Sequence, residues 1–362
     1  MSNTDEIKFR GRVLSGRGEA KGFMEIDWVR KQCGSAAGFD PHPGTLNLKV
    51  DEQTFGVVRR LAMSRGKRII PPLEAANFCE ARLLPLRVNG LNAAIIYPMV
   101  NEYYSDIIEI IAPVLFKDTP GVHDGTILEA SLKTPQKMSR PAAVIFDLDG
   151  TLIDSVDLYY SILCEGCLRL DVNPPTQEIF LDFMGKGLGF WEGWAAIKGA
   201  VPPEGNGEEL KKDIMAVFED IWQHRYDHEV TLFPGVEEML LNFHKQGIRI
   251  GVVTSSFYIN KMDVFRKAGL DPEELFATVI TRNDTLQKKP HPEPIYRCME
   301  QLAVSAPECF CVGDSPCDIV AGNDAGLFTV GVLSGTGTVQ SLAKEGAGAI
   351  LDSVAGLGEI ME

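Results

Sequence analysis

The stretch that most constrains this chain is VIFDLDGTLIDS, Val144 to Ser155. An unbroken apolar run delivers Asp147 and Asp149 into a Gly-Thr turn. A strand apolar on both faces belongs to a parallel sheet covered by helices, and its carboxyl end opens into a ligand crevice. Residues i and i+2 of a strand lie on one side, so both acids face the same space. Gly150 lets the chain turn closely around a ligand, with its N–H expected to face inward. Two such carboxylates can share a hard cation such as Mg²⁺ and leave one free as nucleophile or proton shuttle, a placement that suits phosphate chemistry.

Strand and helix patterns alternate from Ala142 onward, which predicts an α/β fold, a Rossmann-like doubly wound parallel sheet with helices on both faces. The next strong strand, RIGVVTSS, follows the amphipathic segment FPGVEEMLLNFHKQG and ends in Thr254 and Ser255, hydroxyls able to hydrogen-bond a phosphoryl oxygen. In TRNDTLQKKPHPEPIY, Lys289 precedes a proline, and a fixed ammonium there can neutralise a phosphoryl group and a nucleophilic carboxylate. The segment CFCVGDSPCDIVAGNDAG is another apolar strand that releases acids at its end, Asp314 and Asp318, which can complete a magnesium site.

Composition bounds the partners. With 362 residues, 45% hydrophobic and 23% charged, the chain can bury large cores and is long enough for two or three domains. A formal net charge of -15 argues against nonspecific binding to nucleic-acid polymers or anionic membranes, while a local basic pocket can still hold a small anion. No apolar stretch reaches the length of a membrane span and MSNTDEIKFRGR lacks a secretory core, so a cytoplasmic location is expected. The eight cysteines, scattered from Cys33 to Cys317, form no disulfide-like framework. Cys164 and Cys167 make a CxxC in a helical-looking segment with no second pair to complete a zinc site, and read as two small residues on a helix face. Nothing in the sequence specifies an oligomeric state.

The polar, proline-containing segment KTPQKMSRP reads as a linker, at about 136–141, between a first domain over 1–135 and a second over 142–362. The first has short β-like runs, many glycines and a helix candidate at EQTFGVVRRLAMS. Gly16 and Gly18 permit a tight turn whose amides could cradle a polyphosphate, and Thr45 and Asn47 offer neutral oxygens to a cation.

In this order, DLDGT, TSS, KKP and GDSPCD resemble the four motifs of the haloacid dehalogenase superfamily, in its Mg²⁺-dependent phosphatase branch, over roughly Ala142 to Glu362. The resemblance implies that Asp147 is a nucleophile forming an aspartyl-phosphate and that Asp149 is the general acid and base. It places Mg²⁺ on the Asp147 carboxylate, the Asp149 carbonyl and Asp314, with Asp318 in support. Thr254 and the N–H groups around Gly150 would hold phosphoryl oxygens while Lys289 screens their charge. The helical insertion between Asp154 and Phe233 would form a cap, at about 155–230, that closes over the site and selects a small phosphorylated metabolite. Lys186, in MGKGLGFWEGW, would lie on the cap loop that touches substrate. The same site can serve a sugar phosphomutase when the cap retains the intermediate, and Thr151 leans toward hydrolysis.

GRVLSGRGEAKGF, GFDPHPGTLNLKV and SDIIEIIAPVLFKDTPGVHDGTILEAS resemble archaeal-type riboflavin kinase, a separate small β-barrel that uses CTP to phosphorylate riboflavin, over about Phe9 to Leu132. The resemblance places a magnesium ion on Thr45 and Asn47, the nucleotide on the Gly11 to Gly16 region and the flavin against Glu109. The chain departs from the family pattern at Gly18-Glu19-Ala20, where GEG is usual, at Asn101, where threonine is usual, and at Phe116-Lys117, where Leu-Arg is usual. Lysine lacks the planar fork of arginine. The barrel is therefore read as a CTP-dependent riboflavin kinase or as a domain that binds flavin (riboflavin or FMN) or nucleotide and regulates the phosphatase. By association, FMN or a ribityl phosphate becomes a candidate substrate.

Overall fold

The structure, a computed structural model, describes residues 6–15, 19–75, 77–101, 104–133, 138–186, 207–255 and 262–361. The chain forms two compact units, Met1–Met138 and Ser139–Glu362. No helix among the described residues is long and apolar enough to cross a membrane.

The first unit is built on seven antiparallel strands: β1 (Glu6–Leu14), β2 (Leu46–Lys49), β3 (Lys67–Ile69), β4 (Ala81–Val88), β5 (Leu91–Pro98), β6 (Ile107–Ile111) and β7 (Ile127–Lys133). They run in the order β3-β4-β5-β6-β2-β1-β7, and β4 also pairs with β7. Six of them thereby close into a barrel, while β3 takes the other half of the same β4 edge. Alternation drives closure: Phe9, Gly11 and Val13 of β1 and Leu128, Ala130 and Leu132 of β7 turn inward. Asn89 and Gly90, both at positive φ, make the tight β4–β5 hairpin that Asn-Gly favours.

Three helices flank these strands: α1 (Glu19–Met24), α2 (Asp27–Ala37) and α3 (Glu52–Arg65). Asp51 caps α3 by accepting the Thr54 N–H at 2.8 Å. The first two fall where the sequence reading placed no helix. Helix α2 buries only Val29 and Cys33, packed among Ile69, Leu83 and Ile111, so its apolar stripe is too narrow to announce itself.

The second unit has a six-stranded parallel sheet in the order β12-β11-β8-β13-β14-β15. These strands are β8 (Ala143–Phe146), β11 (Arg249–Val253), β12 (Thr278–Ile280), β13 (Cys309–Gly313), β14 (Phe328–Val332) and β15 (Ala349–Leu351). The short β9 (Ile153–Asp154) and β10 (Thr231–Leu232) pair antiparallel beside it. Central β8 is apolar throughout because both faces are covered. Ala143 and Ile145 pack with Ile295, Cys298 and Leu302 of α8 (Glu293–Leu302), and Phe146 stacks on Phe243 of α7 (Val236–Lys245) at 6.4 Å. Connections run outward from β8 to one side and from β13 to the other, so the order reverses between these neighbours and opens a crevice at their carboxyl ends.

Between β9 and β10 lie helices α4 (Val156–Arg169), α5 (Gln177–Gly185) and α6 (Gly207–Glu229), the described part of the helical insertion. Gly166, between the CxxC cysteines, lets α4 and α6 meet closely, since a Cβ there would sit 2.1 Å from the Phe218 ring. Cys167 is buried and Cys164 half-buried on this helix. The chain enters and leaves the insertion through the β9–β10 pair.

Candidate active site

Three strand ends converge on one cluster. The Asp147 N–H continues the sheet beyond β8 by donating to the Val312 carbonyl of β13 at 2.8 Å. The chain then closes a tight turn, with the Leu152 and Ile153 N–H groups donating to the Leu148 carbonyl and the Gly150 N–H to the Ile153 carbonyl, each at 2.9 Å. The expectation that the Gly150 N–H faces inward toward a phosphate is therefore corrected: it is committed to the turn. Glycine is needed there for two other reasons, a φ of +79° and a would-be Cβ only 2.8 Å from the Asp314 carboxylate.

Asp314 follows β13. Its Oδ1 accepts from Thr151 Oγ1 at 3.1 Å, and its Oδ2 accepts from the Thr336 N–H at 2.7 Å and from Thr336 Oγ1 at 3.0 Å. Thr336 lies in SGTGT after β14, and Gly335 and Gly337 let that loop wrap the acid, since a Cβ at Gly335 would fall 2.1 Å from Oδ2. Sequence reasoning missed this residue; the paired glycines after a strand were its only signal.

Lys289 is 5% exposed and spends all three ammonium hydrogens inside the cluster. It donates to Asp147 Oδ1 at 2.5 Å, Asp318 Oδ1 at 2.6 Å and the Val253 carbonyl at 2.9 Å. The other oxygen of Asp318 accepts the Ser315 N–H at 3.0 Å and Oγ–H at 2.6 Å, closing the capping box of α9 (Pro316–Asp324). Asp318 thus anchors both a helix start and the lysine. Thr254 is buried at the end of β11 with its N–H on the Ile280 carbonyl, and Ser255 follows it half-buried.

The electrostatics are those of crowded acids. Burial pushes the Asp147 carboxyl well above the usual carboxylate range, opposed by Lys289 and reinforced by Asp318 and Asp314. Burial and the neighbouring Asp318 push Asp314 up to about 6. Burial works against the Lys289 ammonium, but Asp147 and Asp318 outweigh it and raise its pKa. Asp147, Asp314 and Asp318 each bring an oxygen within 4.8 Å of the others. Three carboxylates facing one ammonium leave excess negative charge among hard oxygen donors, a set that fits a divalent cation such as Mg²⁺.

Asp149 sits half-buried within the turn after β8. Its Oδ1 accepts from Ser155 Oγ at 2.9 Å and from the Tyr159 hydroxyl at 2.5 Å, both at the start of α4. Neither donor was read as a site residue; their only sequence signal is i, i+4 spacing on a first helical turn. Lys186 follows α5 with its exposed ammonium on Asp182 of that helix at 2.6 Å, and residues 187–206 lie outside the described residues. Its neighbour Gly185 does reach the sheet side, accepting from Cys317 Sγ at 3.2 Å.

In the first unit, Asn47 of β2 and Glu109 of β6 are direct cross-strand partners, and Thr45 Oγ1 donates to Asn47 Oδ1 at 3.3 Å. These three residues share one face of the barrel. β1 ends at Leu14, opposite Asn47. The next residue, Ser15, donates to Asp124, and Lys117 donates to Ser15 at 2.9 Å and pairs with Asp124 at 3.2 Å. Gly16 and Gly18 lie outside the described residues.

The description haloacid dehalogenase-like hydrolase belongs to a family model that matches residues 144–332. A phosphoglycolate phosphatase of Colwellia psychrerythraea is 32% identical over 202 residues, 55% of this chain and 87% of that protein. The chain belongs to the haloacid dehalogenase-like hydrolases. The fold agrees: a haloacid dehalogenase-like hydrolase structure from Bacteroides fragilis superposes with a TM-score of 0.54 at 22% identity, covering 60% of this chain and 100% of that one. This hydrolase carries a second match at its amino end, where the CTP-dependent riboflavin kinase model, described as a domain of unknown function, covers residues 13–131. There a riboflavin kinase of Archaeoglobus fulgidus is 37% identical over 127 residues, 35% of the hydrolase chain and 54% of that kinase. The chain thus spans about half the length of this relative.

Proposed function

We propose that the second unit is a Mg²⁺-dependent phosphomonoester hydrolase that works through an aspartyl-phosphate on a small phosphorylated metabolite. The carrying observation is Lys289 Nζ on Asp147 at 2.5 Å with Asp314 and Asp318 beside them. Lys289 holds one oxygen of Asp147 and so turns the carboxylate's other oxygen toward an incoming phosphorus atom. Asp147 attacks, the bond from phosphorus to the ester oxygen breaks, and Asp149 gives its proton to the departing alkoxide. Asp149 then takes a proton from water, which attacks phosphorus, releases inorganic phosphate and restores Asp147. Thr254 donates to a phosphoryl oxygen, and the helical cap excludes bulk water. Asp147, Asp314 and the Asp149 carbonyl would hold Mg²⁺, with Asp318 supporting them through Lys289. The cation would neutralise charge on the phosphoryl oxygens.

The first unit, on this reading, binds a flavin and a cytidine nucleotide, with Thr45 and Asn47 toward magnesium and Glu109 toward the flavin. Its match to riboflavin kinases and the juxtaposition of Thr45, Asn47 and Glu109 support this. A ribityl phosphate or FMN heads the substrates to be screened in the second unit, beside sugar phosphates and nucleotides.

The test uses the intact chain. Asp147→Asn should lower hydrolysis of every ester in the screen by at least about 1,000-fold; full activity in a clean preparation would overturn the mechanism. Isomerised phosphate with no free phosphate from a hexose 1-phosphate would reassign the site to a mutase. The same variant, unable to destroy FMN, should form FMN from riboflavin and CTP if the barrel transfers phosphate. Binding of both without FMN would leave it a regulatory domain.

A further inference from the structure

Tyr159 belongs to the cap, yet its hydroxyl reaches the acid beyond β8. It is 5% exposed and donates to Asp149 Oδ1 at 2.5 Å, on the same oxygen that takes Ser155 Oγ. Its ring is fixed by the second long cap helix: Trp222 lies 4.9 Å from it, and Tyr226 stacks on Trp222 at 4.3 Å, both from α6. Ser155 stands at the N-cap position of α4 and makes no capping hydrogen bond there, its hydroxyl being turned to Asp149 instead.

We infer that Tyr159 is a positioning residue for proton transfer, tying the Asp149 carboxyl to the packing of the cap helices. The inference rests on Asp149 serving as the general acid. With Oδ1 held by two hydroxyls, the carboxyl group is oriented about its Cβ–Cγ bond and presents Oδ2 in a fixed direction. That direction is set by α4 and, through Trp222, by α6. Any shift of the cap that moves the phenol releases the acid, so proton donation is coupled to cap position. A positioned general acid contributes roughly 10²–10⁴ in rate, and one hydrogen bond that orients it is worth about tenfold of this.

The discriminating measurement is the dependence of kcat/KM on the leaving group, because kcat/KM reports only steps through formation of the phosphoenzyme. Tyr159→Phe keeps the ring and its stacking and removes only the hydroxyl. It should lower kcat/KM about tenfold for the best primary alkyl phosphate, whose alkoxide needs a proton, and leave 2,4-dinitrophenyl phosphate, whose phenolate does not, nearly unchanged. An equal loss on both esters, or no loss on either, would overturn the role. Asp149→Asn serves as the reference. If it shows a larger leaving-group dependence and Tyr159→Phe shows none, the tyrosine inference alone fails. If Asp149→Asn shows none, the assignment of the acid itself is wrong.

Discussion

Individual residues here answer to more than one demand. Gly150 provides both a left-handed turn and room for the Asp314 carboxylate 2.8 Å from where a Cβ would lie, so the first and last acidic segments are matched through one missing side chain. Gly150→Ala should cost at least about 1–2 kcal/mol from the backbone conformation alone and displace Asp314, read as a lower Tm together with lost hydrolysis. Thr336 gives Asp314 two hydrogen bonds, one from backbone and one from side chain. Thr336→Val keeps the first and removes the second. The Mg²⁺ concentration for half-maximal activity should rise about 10-fold or more; an unchanged requirement would show that Thr151 and the backbone suffice. The acids were legible because apolar runs ending in Asp are rare patterns with a chemical meaning. Thr336 was not, because a threonine between glycines describes most turns equally well.

At the level of elements, strands announce themselves and short helices do not. β8, β11 and β13 are apolar because helices cover both faces, whereas α2 buries two side chains and carries glycine and serine in its second half. Strand β4 hides a feature that its pattern does not advertise: Arg82 is 1% exposed, with its Nε 3.0 Å from the buried Glu80, which also holds Arg68. Burial, partly offset by Glu80, lowers the Arg82 guanidinium to about 10. Glu80→Gln removes the carboxylate charge that both guanidiniums meet and should destabilise the barrel by about 3 kcal/mol, a loss visible in denaturant unfolding of the intact chain. Unchanged stability would mean that other acceptors replace the carboxylate.

On the scale of the molecule, the chain divides near residue 138 into a barrel and a hydrolase unit, each with its own core. Expressed separately, residues 139–362 should fold and hydrolyse phosphate esters at the rate of the intact chain; collapse of activity would show that the barrel completes the site. The buried thiols give the whole protein an alkaline limit. Burial pushes Cys33 up to about 11 and Cys309 up to about 12, and raises Cys298 and Cys311 as well. An unfolded thiol ionises near about 8.5–9, before these folded ones, so the thiols leave stability unchanged below about pH 8. It then falls as the pH climbs through the unfolded value, by about 1–2 kcal/mol per thiol at pH 10. Equilibrium unfolding at pH 8 and 10 in reductant measures it, and equal stabilities would contradict the burial.

The sequence by itself determined the parallel sheet and the helical insertion and singled out Asp147, Asp149, Lys289, Asp314 and Asp318, because local periodicity and strand-end chemistry are written along the chain. The tertiary structure alone decided which atoms those groups spend on one another. All three hydrogens of Lys289 are taken within the cluster, the Gly150 N–H closes a turn, and Asp149 is held by a tyrosine of α4. Hydrogen bonds between segments 10 to 163 residues apart depend on directions and distances fixed only when the sheet and helices pack.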